Sequence, residues 1–167
     1  MKLLLLVPWL LDVSSDRTDY WPDRSLKYRT SEGNACVSPF ARMTLRRQNG
    51  TVEACDWKVR EGMILRFGPA VPLIKNSMRV GTSWTAKILL EKQPIDFSAT
   101  VLRKEWIAVP AGRFECLVVS MKWNFVTTNF TMQQTVWFAP GVGPVRIRHL
   151  QVGRGLEFEE TAELVAD

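Results

Sequence analysis

Residues 114–125, FECLVVSMKWNF, decide the expected fold, because this run is apolar on both faces of a strand. Alternate residues fall on opposite faces of a strand. One face carries five apolar side chains and the other begins with three: Leu117, Val119, Met121, Trp123 and Phe125, against Phe114, Cys116 and Val118. A strand that is apolar on both sides is typically central in its sheet and covered on both sides. We therefore place this strand at the middle of the fold.

Period-two alternation recurs over most of the chain, whereas helical periodicity is almost absent. Between the alternating runs lie turn signals, namely Gln48-Asn49-Gly50, Glu61-Gly62, Phe67-Gly68-Pro69, Gln93-Pro94, Pro110-Ala111-Gly112, Gly141 to Pro144 and Gly153-Arg154-Gly155. The segment Pro69 to Val80 is interpreted as the one longer irregular connection. The pattern predicts a mainly β fold, a single antiparallel meander of about nine or more strands with little helix.

The apolar strand faces need cover, and the sequence offers no clear amphipathic helix to provide it. Burial of such faces is worth roughly 25 cal/mol per Å². We expect the sheet to curve strongly into a half-barrel or open barrel, or to pack as a sandwich. It could also be capped by the segment 69–80 and the N-terminus, or receive an apolar ligand or partner. The residues predicted to contact such a ligand are Trp84, Ile88, Val119, Met121, Trp123 and Trp137.

The stretch Gln134 to Arg148, QTVWFAPGVGPVRIR, contains two glycines spaced as in some phosphate-binding loops. Such loops lead into a helix N-terminus, whose amides hold the anion. Here a strand-like run follows instead, and the two prolines remove amide donors. The sequence thus favours a rigid turn, and the residues assigned structural turn roles are Pro110, Gly112, Pro140, Gly141 and Gly143.

Residues suited to catalysis or metal binding are scarce. The single histidine, His149, has no identifiable partner, and the glutamates at 157, 159, 160 and 163 read as a solvated strand face. The three cysteines form no Cys-x-x-Cys pair, so neither a metal site nor a cofactor is expected. We predict that the chain is not an enzyme. Whether Cys36 and Cys55 pair stays open, because pairing depends on the compartment.

The formal charge of +5 raises the question of nucleic-acid binding. The densest basic cluster, Arg42, Arg46 and Arg47, alternates with apolar residues and so reads as the wet face of a sheet. No recognition motif accompanies it. We expect no nucleic-acid partner.

The N-terminus contains an apolar run from Leu3 to Leu11 that is too short for a bilayer, which needs about 20 residues. Residues 1–15 are interpreted as a signal peptide or an N-terminal strand, and residues 16–167 as a single β domain. Export to the periplasm or cell envelope follows from the first interpretation, with no transmembrane span.

Two segments carry a family resemblance: IAVPAGRFECLVV at 107–119 and TVWFAPGVGPVR at 135–146. Together they resemble the DUF3108-like (TapB-like) bacterial envelope proteins. The strand start at 78–84, MRVGTSW, and the element Tyr20-Trp21-Pro22 are similar to further motifs of that family. The resemblance implies a fold like that of the lipoprotein-carrier proteins, an open and strongly curved antiparallel sheet with an apolar concave face.

Two functional hypotheses follow. The first is a non-catalytic cell-envelope protein that binds an apolar ligand, such as a lipid or acyl chain, or an apolar partner segment on the curved sheet. The second is a structural or interaction protein with a self-filled β core and no small-molecule ligand.

Overall fold

The computed structural model describes residues 26–30, 35–37, 43–48, 51–60, 63–75, 78–153 and 155–166. These residues form eleven strands, in chain order β1 (Lys27–Thr30), β2 (Ala35–Val37), β3 (Met43–Gln48), β4 (Thr51–Arg60), β5 (Met63–Ile74), β6 (Ser83–Leu90), β7 (Gln93–Val109), β8 (Gly112–Phe125), β9 (Phe130–Ala139), β10 (Gly143–Gly153) and β11 (Leu156–Leu164). The segment predicted to be a signal peptide or N-terminal strand, residues 1–15, lies outside the described residues.

The strands form one antiparallel sheet in the order β2-β1-β11-β10-β9-β8-β7-β6-β5-β4-β3. From β3 to β11 each strand pairs with the next along the chain, which confirms the predicted meander. The two strands before β3 depart from this order: β1 pairs with β11, and β2 pairs with β1 but not with β3. Among the described strands β2 and β3 are the two ends of the order, so the sheet stays open.

The strand that decided the expected fold is β8, and it lies inside the sheet between β7 and β9. Its residues Cys116, Leu117, Val118 and Val119 are buried consecutively, as expected of a strand covered on both faces. From Met121 to Phe125 the burial alternates, because only one face remains covered. We call the face of β8 that carries Val119, Met121, Trp123 and Phe125 the concave face, and its opposite the convex face.

The curvature of the sheet is visible in contacts between strands that are not neighbours. Phe67 on β5 and Trp123 on β8 have ring centroids 6.1 Å apart, although β6 and β7 lie between them in the sheet. In a flat sheet three strand spacings would separate them by roughly 14 Å. The sheet therefore wraps β5 over its own concave face. Trp84 Nε1 on β6 donates to the carbonyl oxygen of Pro72 on β5 at 2.7 Å. This hydrogen bond helps to hold β5 in its curved position.

Cross-strand rungs of side chains fill the concave face. One rung joins Trp84, Ala99, Met121 and Gln134 by register, from β6 to β9. All four of these residues are buried. The next rung contains Phe97 and Trp123, whose rings meet edge to face at 4.7 Å. The centre of the concave face is therefore packed with the chain's own side chains.

The turn predicted at Phe67-Gly68-Pro69 is wrong, and the irregular connection predicted from Pro69 to Val80 is wrong over its first part, Pro69 to Ile74. Both begin inside β5, which continues to Ile74. The physical reason is that the pairing of β5 with β4 is interrupted between Arg66 and Val71, while Phe67 and Gly68 pair with β6. Proline has no N–H to give to a ladder, so it is tolerated where the pairing shifts.

Candidate functional site

One end of the concave face opens into a cavity of about 410 Å³. It lies at the end where β6–β7, β8–β9 and β10–β11 are joined, so three hairpin turns surround it. Cavities that hold small ligands in proteins usually measure about 300–1,000 Å³. We call this opening the mouth cavity.

Three phenylalanines form the apolar wall of the mouth cavity: Phe125 on β8, Phe130 on β9 and Phe158 on β11. Phe125 and Phe130 are opposite each other in register, and their rings meet edge to face at 5.2 Å. Phe158 is 50% exposed, an unusual position for a large aromatic side chain. The wall thus has a packed side and a side that is open to an incoming apolar group.

The polar part of the mouth cavity consists of Gln93, Thr128 and Gln151. The amide of Gln93 donates to the Thr128 hydroxyl at 3.2 Å, which links the β6–β7 end to the β8–β9 turn. None of the described residues that line the cavity carries a charge.

Gly153 lies at the floor of the cavity, where the backbone of β9 leaves no room for a side chain. A Cβ atom at this position would lie 3.0 Å from Phe130 Cα and 3.1 Å from the Asn129 carbonyl oxygen. Both are backbone atoms, so neither can move aside cheaply. The glycine therefore lets β10 approach the start of β9 and sets the position of the Phe130 ring.

A chain of polar side chains leads from the buried core to the mouth cavity. Trp123 Nε1 donates to Gln134 Oε1 at 3.3 Å, and Gln134 Nε2 lies 3.5 Å from His149 Nδ1. On the other side of the ring, His149 Nε2 lies 2.6 Å from the amide of Gln151. Burial lowers the pKa of His149, so the ring is neutral near pH 7. The chain therefore consists of uncharged groups.

The residues predicted to bind a ligand fall into two places. Trp84, Ile88, Val119, Met121 and Trp123 all lie on the concave face, and none of them is more than 4% exposed. The structure brings these five together, but the space among them is filled. The mouth cavity adjoins this cluster, with Phe125 in the rung next to Trp123.

The sixth predicted residue, Trp137, lies on the convex face. Its Nε1 donates to Glu105 Oε1 at 2.5 Å, and the Arg146 guanidinium lies 5.5 Å from the centre of its ring. Arg146 also pairs with Glu163 at 2.7 Å. This arrangement joins β7, β9, β10 and β11, and it covers the second apolar face of β8.

The residues assigned to turns lie in turns or at the first residue of the strand that follows. Pro110 is in the β7–β8 turn, and Gly112 opens β8 with a φ of 139°. Pro140 and Gly141 are in the β9–β10 turn, and Gly143 opens β10. The φ values of Gly141 and Gly143 are 69° and 104°, which only glycine adopts without strain.

Groups with catalytic potential are not assembled into a site within the described residues. No cluster of three or more metal-ligating side chains occurs there. Burial raises the pKa of the Cys116 thiol to about 11, which keeps it protonated. Cys55 is also a free thiol. Arg46 of the basic cluster forms an ion pair with Glu53 at 2.6 Å.

The described residues contain no helix that is long and apolar enough to cross a membrane.

Sequence reasoning did not single out the mouth cavity. The signal for it was partial: alternation placed Phe158 on an apolar strand face, and Phe125 belonged to the concave face of β8. What was missing was the knowledge that three hairpin ends meet, which depends on strand order.

The fold and cavity define a class, that of open, curved, antiparallel β proteins with an apolar concave face. The DUF3108-like family model matches residues 92–150, which span β7 to β9 and most of β10. Over these strands the chain is similar to the DUF3108-like family, in agreement with the motifs at 107–119 and 135–146. The finer TapB-like resemblance stays a prediction.

Three solved structures are similar to this chain at a low level. An inferred lipoprotein from Parabacteroides distasonis matches with a TM-score of 0.42 and 15% identity, over 89% of this chain and 98% of that one. The hypothetical lipoprotein YmcC from Escherichia coli matches with a TM-score of 0.42 and 14% identity, over 89% and 86%. An inferred exported protein with a YmcC-like fold from Bacteroides fragilis matches with a TM-score of 0.38 and 15% identity, over 87% and 81%. Similarity this loose carries no functional argument. No curated protein matches the sequence.

Proposed function

We propose that this protein is a non-catalytic binding protein of the cell envelope, which takes an apolar ligand into the mouth cavity. The observation that carries the proposal is the half-exposed ring of Phe158 beside the packed rings of Phe125 and Phe130. Removing an exposed aromatic ring from water is favourable. An apolar ligand that covers the Phe158 ring would therefore gain binding free energy.

The size of the mouth cavity and the filled centre of the face limit where a ligand binds. Because Met121 and Trp123 are fully buried by protein atoms, a ligand reaches the mouth rather than the centre of the concave face. The residues predicted at the centre then pack beneath the site without contacting the ligand. Trp123 also holds Gln134 in place by donating a hydrogen bond to it.

Location in the envelope is part of the same proposal. The apolar run Leu3 to Leu11 supports export, and the family resemblance implies the same compartment. A hydrophobic ligand or an envelope protein partner would be met there. Neither nucleic acid nor a transmembrane span is part of the proposal.

Titration with the uncharged apolar dye Nile red tests the site. We expect saturable binding, and we expect Phe158→Ser to weaken it about tenfold or more because an apolar wall is lost. Val152→Ser is the matched control, since Val152 is 45% exposed on the opposite face of the neighbouring strand. Absence of binding, or an equal loss in both variants, would contradict the proposal.

A second candidate function is that of a structural or interaction protein without a small ligand. The filled rungs at the centre of the concave face favour it, as do exposed apolar side chains elsewhere, such as Trp106 at 59% exposure. Sedimentation that changes with concentration, together with no Nile red binding, would support this function instead.

A further inference from the structure

His149 lies between two glutamine side chains, one in the core and one at the mouth cavity. Its Nδ1 is 3.5 Å from Gln134 Nε2, and its Nε2 is 2.6 Å from Gln151 Nε2. The indole N–H of Trp123 donates to Gln134 Oε1, so the NH₂ end of Gln134 is the end that faces the ring. Gln134 is buried, whereas Gln151 lines the mouth cavity. The histidine therefore connects a fixed amide in the core to an amide at the binding site.

This arrangement suits a neutral imidazole ring and not a protonated one. A neutral ring has one nitrogen with a free lone pair, which can accept a hydrogen bond from an amide N–H. The short contact to Gln151 fits such a bond, and the contact to Gln134 lies at the outer limit of one. A protonated ring has an N–H on both sides and no free lone pair. It would set two donors against each other at both contacts.

The surroundings of the ring contain one charged group among the side chains that strand register places beside it. This group is Glu160 on β11, whereas the neighbour on β9 is Gln134. On β10 itself, Ile147 and Gln151 share the face of His149. A carboxylate favours a protonated ring, and burial favours a neutral one. Burial prevails here, because it lowers the pKa of His149.

Protonation of the ring would change the wall of the mouth cavity. Gln134 is held in the core, so the two N–H groups must find acceptors in water or in a rearranged Gln151. Both changes take place at the cavity. An apolar ligand there keeps water out and holds Gln151 against the ring, which makes the charge on the ring more costly. Ligand binding and protonation thus oppose each other, and by linkage each weakens the other by the same factor.

From this coupling we infer that His149 makes the mouth cavity a pH-dependent site, which keeps an apolar ligand while the ring is neutral and releases it when the ring takes up a proton. The inference rests on the proposed function and adds the regulation of the same site. His149 is the single histidine of the chain, so no second imidazole contributes to the response.

Titration with Nile red at about pH 8 and at about pH 5 tests the coupling, with circular dichroism at each pH to show that the protein is folded. We expect binding to be about fivefold or more weaker at the lower pH. His149→Gln cannot take up a proton, so its affinities at the two pH values should be nearly equal. Glu160→Gln is the matched control, because it removes a carboxyl group beside the ring and should keep the pH dependence.

An NMR titration of His149 measures the same coupling from the other side, and it needs no variant. Saturation with 1-decanol, which is uncharged over this pH range, should lower the pKa of the ring further, because the ligand keeps water away from it.

The outcomes separate the two proposals. Equal Nile red affinity at both pH values, a pH dependence that survives His149→Gln, or a His149 pKa that does not respond to decanol overturns the inference and leaves an apolar binding protein. If neither Nile red nor decanol binds the folded protein at about pH 8, the proposed function fails and the inference fails with it.

Discussion

Trp137 on β9 donates its indole N–H to the carboxylate of Glu105 on β7, at 2.5 Å, and so spans β8, which lies between them. The Arg103 side chain, and then this indole, hold the pKa of Glu105 below its usual range. A carboxyl group whose pKa is lowered by folding stabilises the fold above its unfolded pKa, and that stability is lost as the pH falls through the folded value.

Trp137→Phe keeps an aromatic side chain but removes this donor. We expect the free energy of unfolding to fall by about 1.5–3 kcal/mol at neutral pH, the usual value of a hydrogen bond to a charged group. We also expect the variant to lose less stability than the parent protein between about pH 5 and about pH 3. Urea denaturation at both ends of that range measures the effect, and parallel losses in the two proteins would contradict it.

His149 is the single histidine, so its titration can be followed without ambiguity. Burial lowers its pKa, and the titratable side chain opposite it in register is Glu160. The unfolded chain binds the proton more readily, so stability is complete above the unfolded pKa and declines as the pH falls from about 7 towards 5.

An NMR titration of His149 should give a pKa below that of an unfolded histidine. His149→Gln should flatten the stability profile over the same pH range. A pKa at or above the unfolded value would show that the ring does not lie in the buried polar chain.

Gly153→Ala tests the close approach at the floor of the mouth cavity. The added methyl group would press on the backbone of Asn129 and Phe130, and overpacking of this kind costs about 1–3 kcal/mol. Gly68→Ala is the matched control, because no atom lies within 4 Å of a Cβ atom built there. Thermal unfolding of both variants measures the difference, and equal effects would be inconsistent with the close contact.

Ile88 and Leu89 are adjacent on β6 and differ in exposure, at 2% and 47%. If the centre of the concave face is filled, Ile88→Ala leaves a cavity and costs about 2–5 kcal/mol. Leu89→Ala should change the free energy of unfolding by less than about 1 kcal/mol. Similar small changes in both would show that the centre of the face is open, as a ligand-lined hollow would be.

Much of the fold could be predicted from strand patterns, because the alternation within each run shows which side chains face the core. The consecutive apolar residues Cys116 to Val119 located the central strand, since only a strand with cover on both sides uses such a run. Gly68-Pro69 misled the prediction because a turn and an interruption in strand pairing favour the same residues.

The candidate site could be predicted only in part. Periodicity assigned Trp123 to the concave face, but it carries no information about what its indole N–H meets. The bond to Gln134 depends on the register between β8 and β9, and the contact with His149 depends on the register between β9 and β10. Side-chain contacts of that kind require the alignment of three strands, which no single run of residues encodes.

The pairing of β1 with β11 also sets an order of events during synthesis. Hairpins from β3 onward can form as soon as each next strand leaves the ribosome, because their partners are close in sequence. β1 can pair with β2 early, because the two strands are close in sequence. The other edge of β1 waits for β11, and the Tyr28 hydroxyl meets the Pro144 carbonyl, 116 positions later, only after the start of β10 has been made. Until then the ladder groups along that edge of β1 are open to chaperones, proteases and neighbouring copies of the chain.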